Sequence, residues 1–351
     1  MTRVKFLSRQ PAEEWHRYFA DDQFTWRGCS FTFDRDAREY DWLVVYDELP
    51  PSAGHSQKQA IEVLACPRAN TLLITTEPAS IKCYGWHYTS QFGHVLTTQP
   101  AWALPHPHRH FQQAANHWFY GNDPAQRMSH DRIVSGPGPK THMASMVGSS
   151  KAQRHTLHYR RFAFMQRVQQ LMPEIDVYGR GFIPLPDKSD ALDGYRYHLC
   201  VENHVAPHHW TEKLSDAFLG RCLPFYAGAP DAGDYFPEGS FVRIDMNDPE
   251  GAVALLRQAI AEGWYEQRLP LIEEARRRVL QEYHLFAVIE RIVREAGTGQ
   301  AARSVKAVSM QPGNDRILSR HALRRSPVVA VFHGLEKAYV RIRSVLTRQG
   351  T

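Results

Sequence analysis

Tyr195-Arg-Tyr-His-Leu-Cys-Val-Glu-Asn-His-Val-Ala-Pro-His-His-Trp-Thr-Glu-Lys-Leu-Ser-Asp-Ala-Phe218 is the stretch that decides how the chain folds. Its first half is apolar and aromatic enough for a buried strand, and that strand ends at Glu202-Asn203. A proline-bearing loop follows, and Thr211 then stands where a side-chain oxygen caps a helix beginning Glu212-Lys213. A strand that feeds a capped helix start is the local unit of an α/β sheet. The free N–H groups and positive dipole end of such a start form an anion site. Lys213 adds a full charge, and Glu212 is suited to accept hydrogen bonds from ribose hydroxyls. Two readings stay open on these residues alone: a nucleoside diphosphate site, or a helix whose first-turn Glu complements the dipole beside an ordinary solvated lysine.

Outward from this stretch the same alternation continues. Downstream come Leu223-Pro-Phe-Tyr-Ala and Phe241-Val-Arg-Ile-Asp245 as strands, then helices from about Pro249. Upstream, Asp176-Val-Tyr178 reads as a strand closed by the Gly179-Arg-Gly181 turn. Between Arg154 and Met172, Leu157, Phe164, Met165, Val168, Leu171 and Met172 recur at helical spacing. Arg161 falls on that apolar stripe, where a guanidinium needs a carboxylate, a ligand phosphate or a route to water. In the first half, Asp41-Trp-Leu-Val-Val-Tyr46 and Thr71-Leu-Leu-Ile-Thr-Thr76 read as short buried strands followed by Asp47 and Glu77. Ligands gather at the carboxyl ends of parallel strands, so both acids are candidates for chemistry. Pro100 to Lys140, rich in Pro, His and Gly, reads as long surface loops.

With 351 residues, the chain is expected to form two α/β domains and a tail. The expected divisions are 1–150, 151–299 and 300–351. Charge is unevenly spread: of the net +5, the segment from Gln300 onward carries +8 and the remainder −3. A nearly neutral body gives no footprint for nucleic acid. Within the tail, Val328, Val331, Phe332, Leu335, Tyr339, Ile342, Val345 and Leu346 form a helical stripe with Lys337, Arg341 and Arg348 among the other positions. Such a helix either docks on the protein or lies on an anionic bilayer. The opening residues break into charges too often for a signal peptide or a span. Five cysteines without a CxxC pair fit free thiols, so the cytoplasm is the expected compartment.

Other signals are set aside. His106, His108 and His110 alternate in one segment and lack the spaced second pair of a zinc site. Asp34-Arg-Asp36 reads as a solvated turn. Gly136-Pro-Gly138 and Gly179-Arg-Gly181 lack the remaining residues of phosphate loops, and no nucleophile-elbow serine occurs.

Tyr195 to Asp245, with Glu202-Asn203, Trp210-Thr-Glu-Lys213, Leu223-Pro-Phe-Tyr-Ala-Gly-Ala-Pro230, Tyr235-Phe-Pro237 and Phe241-Val-Arg-Ile-Asp245, resembles the donor-binding segment of the α-1,3/α-1,4-fucosyltransferases, glycosyltransferase family 10. Thr76-Glu-Pro-Ala-Ser80, Gln91-Phe-Gly-His-Val95, His158-Tyr-Arg-Arg-Phe162 and Tyr178-Gly-Arg-Gly181 followed by Asp187-Lys188 are similar to the family's bacterial branch. The resemblance runs from roughly Leu72 to Asp245. It implies two Rossmann-like domains facing a cleft, of GT-B type, with acceptor bound by the N-terminal and donor by the C-terminal domain. It further implies inverting transfer of fucose from GDP-fucose to a glycan hydroxyl, with no cofactor and no metal. Carried over by motif, Asn203, Glu212 and Lys213 hold the donor, with Glu212 on ribose and Lys213 on the diphosphate. Arg161 or Arg180 supplies a second cation, and His209 stands where some members have tyrosine. Glu77, in Thr-Glu-Pro, resembles the family's proposed catalytic base. With a membrane-bound tail, the expected acceptor is a lipid-linked glycan such as a lipopolysaccharide precursor at the inner leaflet. The alternatives are the same fold with another nucleotide sugar, or a non-catalytic protein that docks through its tail.

Overall fold

The computed structural model describes residues 1–114, 117–149, 157–302 and 315–348. The chain divides into two compact units: Met1–Ala115 together with Phe286–Thr351, and Asn116–Leu285.

In the first unit, β1 (Thr2–Leu7) leads through the helical turn α1 (Glu13–His16) to β2 (Thr25–Trp26), β3 (Cys29–Thr32), β4 (Trp42–Tyr46), β5 (Ile61–Val63), β6 (Thr71–Ile74), α2 (Trp86–Thr89), β7 (His94–Thr97) and β8 (Arg109–Phe111). Seven strands form one sheet in the order β2-β3-β1-β4-β6-β7-β8. Every pair is parallel except the β2–β3 hairpin. All residues of β4 and β6 are buried, the pattern of strands covered on both faces. Leu43, Val45, Leu73, Tyr88 and Phe92 form the core on one side. Phe286 packs with Phe6, Trp15, Phe19 and Phe31. The expectation of loops from Pro100 to Lys140 holds only in part, because Arg109–Phe111 adds a short parallel strand to β7. Three residues at a sheet edge leave little apolar run, and the flanking prolines dominate the composition.

The second unit runs α3 (His130–Ser135), β9 (His142–Ser149), α4 (Leu157–Leu171), β10 (Asp176–Arg180), β11 (Tyr195–Val201), α5 (Glu212–Leu219), β12 (Leu223–Ala227), β13 (Val242–Arg243), α6 (Pro249–Glu262) and α7 (Trp264–Arg278). Its sheet is wholly parallel, in the order β10-β9-β11-β12-β13. Because β9 lies inside this sheet, the unit begins before residue 142 and not at the expected 151. The chain first winds outward from β9 to β10 and then returns to β11 on the other side. That reversal leaves a crevice at the carboxyl ends of β9 and β11, where doubly wound sheets bind ligands. Gly179 sits at φ +115°, and a Cβ on it would lie 2.0 Å from the Gly148 carbonyl, so glycine alone lets β10 pass β9 here. Phe164, Met165, Val168 and Met172 are buried as their spacing predicts. The expected helix start at Arg154 lies outside the described residues.

The chain then returns to the first unit through α8 (Leu285–Ala302), β14 (Arg316–Leu318), α9 (Arg320–Leu323) and α10 (Pro327–Arg348). The segment expected as a separate tail, 300–351, is thus grouped with the first unit. β14 pairs antiparallel with β5, Ile317 is fully buried, Arg68 pairs with Asp315, and Arg320 reaches the buried Glu48. α10 buries His333, Val340 and Ser344 and leaves its apolar stripe exposed. Among the described residues no helix is long and apolar enough to cross a membrane.

Candidate active site

At the end of β11 the chain places Glu202 almost completely inside the protein. Its carboxylate accepts from the Thr211 amide at 2.9 Å and from the Thr211 hydroxyl at 2.9 and 2.8 Å. One buried carboxylate therefore fastens the strand end to the start of α5. Thr211 caps that helix as expected, its hydroxyl accepting from the Lys213 amide at 3.4 Å. A Cβ at Gly228 would come within 2.1 Å of the Tyr226 hydroxyl and 2.6 Å of Glu202 Cγ, so only glycine lets the end of β12 cross this point.

Lys213 Nζ lies 2.8 Å from Glu212 Oε1 and 3.4 Å from Glu202 Oε2. Burial works against its charge, but the two carboxylates overcome that and raise its pKa. For Glu212, burial favours the neutral acid, yet the Lys213 charge and hydrogen bond, helped by Lys188 and Thr211, hold the carboxyl down to about 2. Glu202 moves the other way: burial raises it, and Lys213 offsets this only in part. The pair of acids thus shares one lysine unequally.

Arg161, from α4, spans the crevice. Its guanidinium donates to Asn203 Oδ1 at 2.6 Å and to the Val147 carbonyl of β9 at 3.1 Å. The side chain predicted to need a carboxylate or phosphate therefore meets an amide and a peptide carbonyl instead. Burial lowers its pKa, opposed by Glu202 and Glu212, so the guanidinium is desolvated and lacks a carboxylate hydrogen bond among the described residues. Lys188 joins the same field: burial lowers its pKa, and Asp216 and Glu212 counter it. It also lines a cleft of about 250 Å³ with Phe119, Asn122, Asp123 and Asp187. His209 is buried, its pKa pushed down to about 3 by burial and the neighbouring His204 and Lys213. The imidazole is neutral at pH 7.

Of the two arginines weighed from the sequence, Arg161 reaches Asn203, whereas Arg180 is exposed at the end of β10, one strand beyond β9. No hydrogen bond joins Arg180 to the cluster among the described residues. Sequence reasoning assigns no role to Lys188 or Glu202. Glu202 has a signal, an acid closing the apolar run Leu199-Cys200-Val201, whereas Lys188, between Asp187 and Ser189-Asp190, has none.

In the first unit, Asp47 and Glu77 close neighbouring parallel strands and differ in environment. Asp47 accepts from Thr76 Oγ1 at 3.0 Å, from Lys82 Nζ at 2.7 Å and from the Tyr84 hydroxyl. Burial would raise its pKa, but Lys82 and the hydroxyl donors bring it below the ordinary value. Glu77 is exposed, on a loop whose backbone is clamped. Gln99 Nε2 donates to the Glu77 carbonyl at 2.8 Å and to the Lys82 carbonyl at 2.9 Å, while the Tyr84 hydroxyl accepts from the Thr76 amide at 3.0 Å. Gln99 is itself buried. The arrangement fixes where Glu77 leaves the sheet and keeps its side chain in water. Among the described residues no three His, Cys, Asp or Glu side chains are grouped to hold a metal ion.

A parallel α/β unit with cations, a capped helix start and a carboxylate gathered at its switch point has the architecture of a nucleotide-binding domain. Residues 138–260, which contain that whole crevice, match the model of glycosyltransferase family 10 (fucosyltransferase), C-terminal domain. Over 58 residues, 16% of the chain, it is 34% identical to the α-(1,3)-fucosyltransferase FucT of Helicobacter pylori. Over 78 residues, 20% of the chain, it is 35% identical to the 4-galactosyl-N-acetylglucosaminide 3-α-L-fucosyltransferase FUT6 of Pongo pygmaeus. These stretches span 12% and 21% of the lengths of the two relatives. A crystal structure of an α1,3-fucosyltransferase superposes with a TM-score of 0.49 at 13% identity, covering 87% of this chain and 91% of that one.

Proposed function

We propose that the protein is an inverting glycosyltransferase that moves fucose from GDP-fucose to a glycan hydroxyl. The observation that carries this reading is the convergence of Arg161, Asn203, Glu212 and Lys213 at the switch-point crevice, within the family-matched segment. In this reading the donor diphosphate takes up hydrogen bonds from Lys213 and Arg161 near the positive end of the α5 dipole, and Glu212 accepts from the ribose. Lys213 exchanges part of its contact with Glu202 and Glu212 for phosphate oxygen, and Arg161 gains the anion that its desolvated guanidinium lacks. Because these groups supply the positive charge that a departing GDP needs, the reading assigns leaving-group stabilisation to side chains and helix dipole, without a required metal. Glu77 takes the proton from the acceptor hydroxyl. The oxygen then attacks the anomeric carbon as its bond to phosphate breaks on the opposite face, through an oxocarbenium-like state. A lipid-linked glycan acceptor on the inner face of the cytoplasmic membrane belongs to the same reading.

The test combines ligand-induced thermal shift with transfer assays. GDP and GDP-fucose are expected to stabilise the protein with or without EDTA, and UDP compounds to have no effect. Glu77→Gln is expected to retain that shift while transfer falls by ~10²-fold or more. A shift with UDP sugars alone would overturn the choice of donor. Transfer that persists in Glu77→Gln would remove Glu77 as the base.

A further inference from the structure

We propose that the ion pair of Asp47 with Lys82 is the acceptor-sugar subsite of the first unit, holding a pyranoside by a hydroxyl adjacent to the one that Glu77 deprotonates. The inference rests on the proposed function and adds to it the binding residues and the chemical class of the acceptor. The first unit has a switch point of its own: from β1 the chain winds out to β3 and returns to β4 on the other side of β1. Ligand crevices of doubly wound sheets lie at the carboxyl ends of such strands, and Asp47 follows β4 directly. It stands at φ +66°, a conformation that a side chain adopts at a cost, with its amide held on the Ile74 carbonyl of β6 at 2.7 Å. Its carboxylate there accepts from Thr76 Oγ1 at 3.0 Å, in the residue before Glu77. Lys82 closes the same loop, since Gln99 Nε2 holds the carbonyls of Glu77 and Lys82 together. The loop that carries Glu77 and this ion pair therefore leave the sheet side by side, at the ends of β4 and β6.

Hydrogen-bonding capacity defines what the pair can hold. A carboxylate has about four lone-pair sites, and those of Asp47 receive Thr76, the Tyr84 hydroxyl and, at 2.7 Å, Lys82 Nζ. An ammonium donates in three directions, and two of those of Lys82 face Asp47 and, at 3.0 Å, Glu48. Among the described residues neither has a further hydrogen-bond partner, so one acceptor position and one donor stand side by side. Both side chains reach solvent, Asp47 at 25% and Lys82 at 15%, whereas Glu48 behind them is 3% exposed. A hydroxyl fills both positions at once, because it donates and accepts. A phosphate would meet Lys82 and be repelled by Asp47, and for a cation the reverse holds. The pair therefore selects a neutral polyhydroxyl ligand, and Glu77 beside it selects one with two neighbouring hydroxyls, as on a pyranose ring. Thr76, Tyr84 and Glu48 fix the pair before the sugar arrives, so binding has few side chains to order.

GDP release from GDP-fucose, with water alone and with a panel of methyl pyranosides and their monodeoxy analogues, tests this on wild type, Asp47→Asn and Lys82→Gln. At least one pyranoside is expected to accelerate release by the wild type, and one of its monodeoxy analogues still to react, with a KM about tenfold higher or more. Each variant is expected to raise the KM of the intact sugar by a similar factor, to keep the KM for GDP-fucose, and to be indifferent to that same deoxygenation. Because the deoxygenation is read on the wild type, it stands even where a variant unfolds. GDP-fucose hydrolysis that no pyranoside accelerates would overturn the inference, as would a wild type whose KM no single deoxygenation raises. So would a deoxygenation that costs Asp47→Asn as much as it costs the wild type, or a parallel rise in the KM for GDP-fucose, which marks the pair as a clamp of the fold. The donor reading survives each of these results. It falls, and the subsite with it, if the wild type releases no GDP from GDP-fucose under any of these conditions.

Discussion

Replacing Lys213 by Met keeps the length of the side chain and deletes its charge, which leaves Glu202 and Glu212 facing each other inside the second unit. The magnitude follows from Glu212, whose side chain is 17% exposed and whose carboxyl is held at about 2 in place of the ordinary 4.5. That gap corresponds to ~3 kcal/mol of stabilisation at pH 7. For a unit of this size the loss lowers Tm by ~6–12 °C. The sign is fixed by linkage: a depressed carboxyl stabilises the fold above its unfolded value, and this is lost as pH falls from about 4.5 to about 2. Wild type and Lys213→Met are therefore expected to differ most near neutrality and to converge in acid. Adding Glu212→Gln to Lys213→Met removes the orphaned carboxylate and restores most of the Tm, but not the GDP-induced shift. Chemical denaturation at pH 7 and pH 3.5, with GDP titrations on all three proteins, reads both effects. Equal stability of Lys213→Met and wild type at pH 7 would refute the electrostatic account, and normal GDP binding by the double variant would remove Lys213 from the diphosphate.

Acid sensitivity is also expected from His198 and His209, which burial holds at about 3, so the unfolded chain takes up protons that the folded one refuses. Stability is fully present above about 6.5 and is lost as pH falls, by ~2 kcal/mol per histidine at pH 5. His198→Asn with His209→Gln should therefore lose less stability than wild type between pH 7 and pH 5 in urea denaturation; equal losses would sink the assignment. Gln99→Ala frees the Glu77–Lys82 loop from both carbonyl contacts. It is expected to lower kcat about tenfold or more with the donor KM unchanged, since a small misplacement of a base costs rate rather than donor binding. Parallel loss of donor binding would mark Gln99 as a general packing residue.

Much of the second unit was legible because β11 and β12 are apolar runs and its helix start is marked by a capping threonine, whereas β9, His142–Ser149, mixes polar and small residues and was not read as a strand. The contacts of Arg161 were not, because an amide from β11 and a carbonyl from β9 meet it only after the sheet has wound in two directions. Likewise Glu202 looked like one member of a motif until its three bonds to Thr211 showed that it joins strand to helix. Asp47 and Glu77 were indistinguishable as acids at strand ends. Lys82 and Tyr84, brought in by a turn of chain, separate them. The tail misled for a related reason: its basic composition concealed Ile317 and Arg320, whose partners lie some 250 residues earlier.

That distance has a consequence for the order of folding during synthesis. The second unit, Asn116–Leu285, is continuous in sequence and can close as soon as it leaves the ribosome. The first unit cannot. Until Arg316–Leu318 is made, β5 lacks the strand it pairs with and Glu48 lacks Arg320, so the segment translated first is the one completed last. For that interval the nascent protein carries an unfinished first unit and a finished second unit on one chain.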